Sequence, residues 1–293
     1  MCVIVCRYIP DLESWCIAKN RDRNYKPTIR IRKSFRNDIE RLYIWDETTK
    51  YTEGVNEYGV GIISASVTVK EDESEGSRVK KINKTDIEER DRIYYSPDGL
   101  RIRKALFENS ALNAINSLIE LEISGNTIVA DKERCFLLEG AFVDDKYLYK
   151  PVEVPQDKFA IRTNHGIMLP WTGYSVDVPG QEEKRHSSEM RYNKVAEALR
   201  NTNTIEGVLD ALSVMDENEP QLNPLRVDTD RGAMRTTGQI LIVPGERILH
   251  YRSVWGETIF DMENLNTSEG KTFFELVSTR KLISFRQKIK ENE

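Results

Sequence analysis

From residue 2 the chain sets apolar side chains in short bursts divided by turn chemistry. CVIVCRYI opens it: β-branched Val3, Ile4 and Val5 between Cys2 and Cys6 predict a strand over 2–8. IPDLES then brings Pro and Asp, which turn the chain. WCIAKNRD predicts a return strand, so the opening is a β-hairpin that carries Lys19, Asn20 and Asp22 back toward Cys2. In 51–69 the pattern predicts a turn at EGVNEYG and then a strand punctuated by Gly and Ser. Residues 70–92 are dense in charge without an apolar period, which predicts an exposed loop. ALFENSALNAINSLIEL (105–121) places Leu106, Leu112, Ile115, Leu118 and Ile119 near a helical period, and SGN stops that helix. Strands follow over 127–142 and 146–154, and KFAIRTNHG (158–166) predicts one that ends in a polar turn.

Two helices come next, over 187–200 with Ser187 or Ser188 as N-cap, and over 204–215 with Thr204 or Asn203 as N-cap. TTGQILIVPGERILHYRSVW (236–255) predicts a hairpin turning at PGER, before a short strand or helix and a charged tail. Strands, then helices, then strands fit an α+β, layered α/β/β/α architecture. No linker composition or internal repeat divides the chain, so the expectation is a single domain over 1–293.

Composition narrows the class. At 39% hydrophobic and 31% charged residues the chain is globular and charge-coated rather than disordered. The net charge of -5 argues against a nucleic-acid footprint, and RIRKSFR (30–36) and RIRK (101–104) read as solvated faces. No apolar run is long enough to span a membrane, so no membrane partner is expected. Asp11, Glu13, Lys19, Arg21 and Asp22 break up the start, which lacks a secretory h-region, so the expected compartment is the cytoplasm. Cys2, Cys6, Cys16 and Cys135 lack CxxC spacing, and His165, His186 and His250 complete no metal pattern with them. No metal or organic cofactor is implied, and the cysteines are expected to stay reduced.

Cys2 is the residue with chemistry to offer. Removal of Met1 is favoured by the small side chain behind it, and leaves Cys2 with a free α-amine beside its thiol. Their reference pKa values are close, ~8 and ~8.5. The amine therefore serves as base toward its own residue's thiol. Lys19 on the return strand supplies a cation, and Asp22 an acceptor for the amine. Each residue also has a plainer reading. Cys2, like Cys6, Cys16 and Cys135, is an ordinary core type. Asn56 and Asn164 are ordinary turn residues. Asp22 has Arg21 and Arg23 beside it to pair with. Arg191, read in the first turn of its helix, opposes the helix dipole there, which hints at another task.

The blocks taken together resemble the choloylglycine hydrolase and penicillin acylase superfamily, which includes bile-salt hydrolases, penicillin V acylase and the penicillin acyltransferases. MCVIV resembles its nucleophile strand, AKNRD its G-R-N-x-D block, EGVNEYGVGI its E-G-x-N-E-x-G-L pattern, RTNHG its strand-end asparagine and SSEMRY its S-x-x-R-F helix start. The late hairpin is also similar. The resemblance implies an N-terminal-nucleophile fold, a four-layer αββα sandwich of two antiparallel sheets between helix layers. It implies catalytic roles for Cys2, Asp22, Asn56, Asn164 and Arg191, with backbone and side-chain N–H groups of Asn56 and Asn164 facing the oxyanion, and supporting roles for Lys19 and His165. The implied reaction is cleavage of a linear N-acyl amide through a thioester on Cys2. The alternatives are acyl transfer to an amine acceptor and a non-catalytic relative. The implied partner is a small N-acyl amide; the fold class admits a homo-oligomer, which the sequence does not specify. Lys19 departs from the superfamily's arginine, keeping the charge without the bidentate fork. The 70–105 stretch matches nothing in the pattern. AKNRD also resembles another Cys-start family, the NRDE-type proteins, which lack the TNH and S-x-x-R blocks.

Overall fold

A computed structural model describes residues 2–67, 97–143, 146–174, 181–227, 234–262 and 275–277. The loop expected over 70–92 and most of the expected tail lie outside the described residues. The opening hairpin forms as its pattern predicts: β1 (Cys2–Ile9), a 3-10 turn over Pro10–Leu12, then β2 (Ser14–Arg23). Their register sets Cys2 opposite Arg21 and Ile4 opposite Lys19. Next come β3 (Thr28–Arg36), β4 (Ile39–Asp46), β5 (Thr52–Asn56) and β6 (Gly61–Ala65). Helices α1 (Pro97–Ala105) and α2 (Ala111–Glu120) lead to β7 (Gly125–Ala130), β8 (Cys135–Val143), β9 (Lys146–Glu153) and β10 (Phe159–Arg162). Helices α3 (Glu182–Leu199) and α4 (Ile205–Leu212) precede β11 (Arg235–Val243), β12 (Ile248–Ser253), β13 (Glu257–Met262) and β14 (Glu275–Val277).

The strands form two sheets, one of six in the order β10-β1-β2-β11-β12-β14 and one of eight in the order β13-β3-β4-β5-β6-β7-β8-β9. Both are antiparallel except at one edge each, where β14 pairs parallel with β12 and β13 parallel with β3. Period-2 alternation sorts the side chains into three apolar layers. Cys2, Ile4, Trp15, Ile17, Ile44, Val55 and Ile128 fill the space between the sheets. Val3, Val5, Cys16 and Ala18 pack on the other face against Val195, Val208 and Leu212 of α3 and α4. Tyr43, Ile62 and Val129 meet Ile102, Ala114 and Leu118 of α1 and α2. The result is the expected four-layer αββα sandwich. Each fully buried Ile, Val or Leu contributes about 1.5–3 kcal/mol. No helix among the described residues is long and apolar enough to cross a membrane.

Several local expectations are corrected. The helix expected over 105–121 is two helices, because Ser110 caps α2 by accepting from the Asn113 N–H. EGVN is the end of strand β5 rather than turn. RIRKSFR is strand β3, whose alternate residues Ile29 and Ile31 are core. In RIRK, Arg101 is buried rather than solvated, and donates to Asp98 and to the Leu121 carbonyl. Helix α3 begins at Glu182, with Glu182 and Glu183 favourable in its first turn, so Ser187 and Ser188 sit inside it and cap nothing. Thr204 does cap α4, accepting from the Gly207 N–H. Trp171 is half exposed at 52%. Cys6, Cys16 and Cys135 are buried and free, as expected of core thiols.

Candidate active site

Strand alternation decides what reaches Cys2. On β1 the even residues face the opposing sheet, so the Cys2 side chain points between the sheets with Ile4 and Cys6. On β2 the odd residues face the same way, and Lys19, Arg21 and Arg23 continue the row of Trp15 and Ile17. Cys2 is only 3% exposed, and the Arg23 Nη1 stands 3.7 Å from its Sγ. Burial alone would raise the thiol, but Lys19, the chain's terminal ammonium and Arg23 outweigh it and Asp22, bringing it down to about 7. Lys19 is held by an ion pair with Glu53 and by the Ser64 carbonyl at 2.5 Å. Arg21 donates to Asp46 at 2.5 Å. Burial would raise the Asp46 carboxyl, but Arg21, the Tyr25 hydroxyl and Arg23 take it down to about 2.

The backbone of Cys2 faces a different set of groups. Its nitrogen donates to the Asn164 Oδ1 at 2.7 Å. In the full chain that atom is a peptide N–H; without Met1 it is the α-amine. Asp22, on the helix-facing side of β2, accepts from the Thr236 hydroxyl at 2.9 Å through Oδ1. Its Oδ2 is buried and receives no hydrogen bond. Arg191 links the pieces: Nη1 lies 3.4 Å from the Cys2 carbonyl and 3.6 Å from the Asp22 Oδ2, and Nη2 lies 3.4 Å from the Asn164 Oδ1. Since α3 starts at Glu182, Arg191 lies in its interior, not in the first turn, and the dipole hint does not apply. Burial, then Arg226 beside it, lowers its guanidinium to about 10.

Asn164 is held in an arch after β10. Asn126 donates to the carbonyls of Thr163 and His165 at 2.9 and 3.3 Å. The Asn164 N–H donates to Ser188 Oγ at 3.0 Å, and its Nδ2 to the Ser66 carbonyl at 2.5 Å. Downstream, the Glu139 carboxylate accepts from the backbone N–H groups of Ile167, Met168 and Leu169, and from Arg162. Gly173, at φ 72, closes the arch by bridging to His165 in a conformation that suits glycine. His165 serves this framework. Its Nδ1 meets Ser188 Oγ at 2.8 Å and Thr163 Oγ1 at 2.9 Å. Burial first, then Arg185, pushes it down to about 4, so it is neutral near pH 7.

Asn56 does not join the site. It follows Val55, which is in the intersheet layer, so its side chain points to the opposite face of the eight-stranded sheet. There Nδ2 donates to the Leu106 and Glu108 carbonyls at 3.1 and 2.6 Å, and Oδ1 accepts from the Val60 N–H at 2.9 Å. Both amide hydrogens are committed, and the backbone N–H donates to the Val60 carbonyl at 3.1 Å, so the expected oxyanion role of Asn56 is withdrawn on that ground. The structure thus gathers Cys2, Lys19, Asp22, Asn164 and Arg191, keeps His165 as framework and leaves Asn56 out. Sequence reasoning missed Arg23, Asp46, Glu53 and Arg226. The first three were available from β2, β4 and β5 parity. Arg226 is buried, donates to Ser187 Oγ at 2.5 Å, and has no hydrogen-bond partner at Nε or Nη1 among the described residues. Among the described residues no group of three or more His, Cys, Asp and Glu side chains is arranged to hold a metal ion.

No family model matches the chain, and no curated protein matches it. Among solved structures it is similar to penicillin V acylase from Agrobacterium tumefaciens, at 11% identity and TM-score 0.47 over 86% of each chain. It is also similar to a mutant conjugated bile acid hydrolase from Clostridium perfringens, at 12% identity and TM-score 0.49 over 87% of this chain and 89% of that one. At such identities no residue's role passes from those proteins to this one.

Proposed function

We propose that this chain is an N-terminal cysteine amidohydrolase, which cleaves a linear N-acyl amide through a thioester on Cys2 once Met1 is removed. One observation supports this above the others. The Cys2 nitrogen is hydrogen-bonded to Asn164, while the Asp22 Oδ2 is buried and accepts no hydrogen bond. A peptide N–H donates once and is satisfied by Asn164. An α-ammonium donates three times, and a buried carboxylate oxygen without a donor is the acceptor such a group requires. Release of Met1 thus supplies donors that the site otherwise lacks.

The chemistry follows from the two sides of Cys2. The α-amine takes the thiol proton, and the sulfur adds to the acyl carbon. The second Nδ2 hydrogen of Asn164 is the remaining amide donor for the oxyanion, Asn56 being committed elsewhere; one such donor is worth about 10²–10³ in rate. As the intermediate collapses, the C–N bond breaks and the α-ammonium returns its proton to the leaving nitrogen. Water, with the amine again as base, then hydrolyses the thioester. Arg191 holds the Cys2 carbonyl and the Asn164 amide in one orientation, which makes it a positioning residue.

The test is a panel of bile-salt, penicillin V and N-acyl-homoserine-lactone amides, run with and without a free amine on protein whose mass shows Met1 removed. Amine release lost in Cys2→Ala supports the reading, and acyl capture by the added amine makes the enzyme a transferase. Equal turnover by Cys2→Ala, or by protein that retains Met1, overturns it.

A further inference from the structure

The charges between the sheets around Cys2 do not balance. Three cations, Lys19, Arg21 and Arg23, come from alternate positions of β2, and two carboxylates, Asp46 and Glu53, from β4 and β5. Lys19 is spent on Glu53 and Arg21 on Asp46. Asp46 has no capacity left. Its Oδ2 takes Arg21 at 2.5 Å and the Tyr25 hydroxyl at 2.6 Å, and its Oδ1 takes the Thr48 and Thr49 N–H groups at 2.9 and 3.4 Å. Arg23 comes no closer than 3.9 Å to it. The Asp22 carboxylate turns to the other face of the sheet, toward Thr236 and Arg191. Arg23 donates to the Asp22 carbonyl at 2.7 Å, lies over the Tyr51 ring at 5.9 Å from its centroid, and reaches the Cys2 Sγ at 3.7 Å.

A largely buried guanidinium whose nearest carboxylate stands 3.9 Å away is only weakly neutralised, and a thiolate already in reach of it completes the charge balance. We propose that Arg23 and the Cys2 thiolate form a standing ion pair, so that Arg23 is a catalytic residue. This rests on the reading of Cys2 as the nucleophile. Ionisation moves the thiol proton from Sγ to the α-amine or to water, with no redox change. Acylation makes the C–S bond and discharges the sulfur, leaving Arg23 without its anion. Deacylation, in which water adds and the C–S bond breaks, restores the thiolate and the pair. Arg23 therefore aids the step in which sulfur leaves, at some cost in nucleophilicity. The other ionisable groups set around the sulfur are Lys19, Arg21 and Asp22 on β2, Asp46 on β4, Glu53 on β5, Arg191 on α3, Arg226, Tyr25, Tyr51, Tyr251 and the α-amine itself. Among the described residues Arg23 is the cation hydrogen-bonded to the sulfur, while Lys19 acts on it through its charge.

The test needs no substrate. Cys2 alkylation by iodoacetamide is followed by peptide mass between about pH 5 and pH 9, for wild type, Arg23→Gln and Arg23→Lys, because the rate tracks the thiolate fraction. The wild-type midpoint is expected near 7. Arg23→Gln is expected to move it up by about one unit, slowing alkylation at low pH about tenfold, while Arg23→Lys keeps most of the shift. A midpoint in Arg23→Gln equal to wild type overturns the pair. A second measurement avoids variants. Wild-type Cys2 capped with iodoacetate gains a carboxylate beside Arg23, and capped with iodoacetamide a neutral amide. The carboxymethyl form is expected to melt higher; equal melting counts against the pair. Turnover of the N-acyl panel is scored separately. A shifted midpoint without turnover keeps the pair and defeats the amidohydrolase reading. Turnover with an unshifted midpoint does the reverse.

Discussion

Asn56→Ala separates two roles for one side chain. An oxyanion donor removed from a stable scaffold costs about 10²–10³ in rate and little stability. The geometry assigns the opposite. Asn56 is fully buried and its side chain makes three hydrogen bonds, to the Leu106 and Glu108 carbonyls and from the Val60 N–H. These tie the β5–β6 turn to the end of α1. A typical net hydrogen bond contributes about 1 kcal/mol, and a buried group left without a partner costs about 1–3 kcal/mol. Truncation strands two carbonyls and one N–H, so the loss is about 3 kcal/mol or more. At about 2–4 °C per kcal/mol for large domains, the melting temperature falls by roughly 6–12 °C. The assay pairs a thermal melt with the rate of Cys2 alkylation by iodoacetamide at a temperature where both proteins are folded. The expected variant melts early and alkylates like wild type. An Asn56→Ala protein that melts within about 2 °C of wild type, while losing amide turnover, would refute the assignment of Asn56 to the outer face.

Two further expectations bear on the arch around Asn164. The His165 imidazole falls from its usual value near 6.5 to about 4, chiefly by burial. The unfolded chain therefore binds a proton between about pH 6.5 and pH 4 that the folded chain refuses, and stability present above the unfolded pKa drains away as pH falls through that window. Urea midpoints across the window should drop in wild type and drop less in His165→Asn; parallel curves would remove His165 as the cause. Gly173 adopts φ 72, and a Cβ there would stand 2.5 Å from the Asn164 carbonyl oxygen and 2.9 Å from the His165 Cα. Gly173→Ala should lose more than about 1 kcal/mol in urea melts and displace Asn164 from the Cys2 nitrogen, cutting amide turnover out of proportion to the stability loss. Wild-type turnover in a folded Gly173→Ala protein would show that the arch does not set the site.

How much of this could be read from the chain differs by element, for physical reasons. The hairpin of β1 and β2 was legible because β-branched residues and a Pro-Asp turn state it locally, and its register brings Lys19 and Asp22 alongside Cys2. Strands β3 and β4 were hidden because arginines and lysines hold the half-open face of β3, so charge masked the alternating Ile29 and Ile31. The start of α3 was misplaced because its first turns, EEKRH, carry no apolar period; dipole-favourable acids rather than a capping hydroxyl open it. That error moved Arg191 to a helix end, although its buried contacts with Cys2 and Asn164 come from the helix interior.

The Asn56 error has the most general cause. A short motif fixes which residue types occur, whereas a strand fixes which of them can meet. Val55 is a core residue, and Glu53, two positions before it, pairs with Lys19 on the opposing sheet. Period-2 alternation then sends Asn56 to the far side whatever pattern it matches. The same parity, applied to β2, puts Arg23 on the face of Cys2 two places beyond Arg21. Because EGVN is strand, that count puts Glu53 rather than Asn56 on the face of Lys19, and Arg23 toward the sulfur. Chemistry on a sheet is selected first by odd or even position, and only then by residue type.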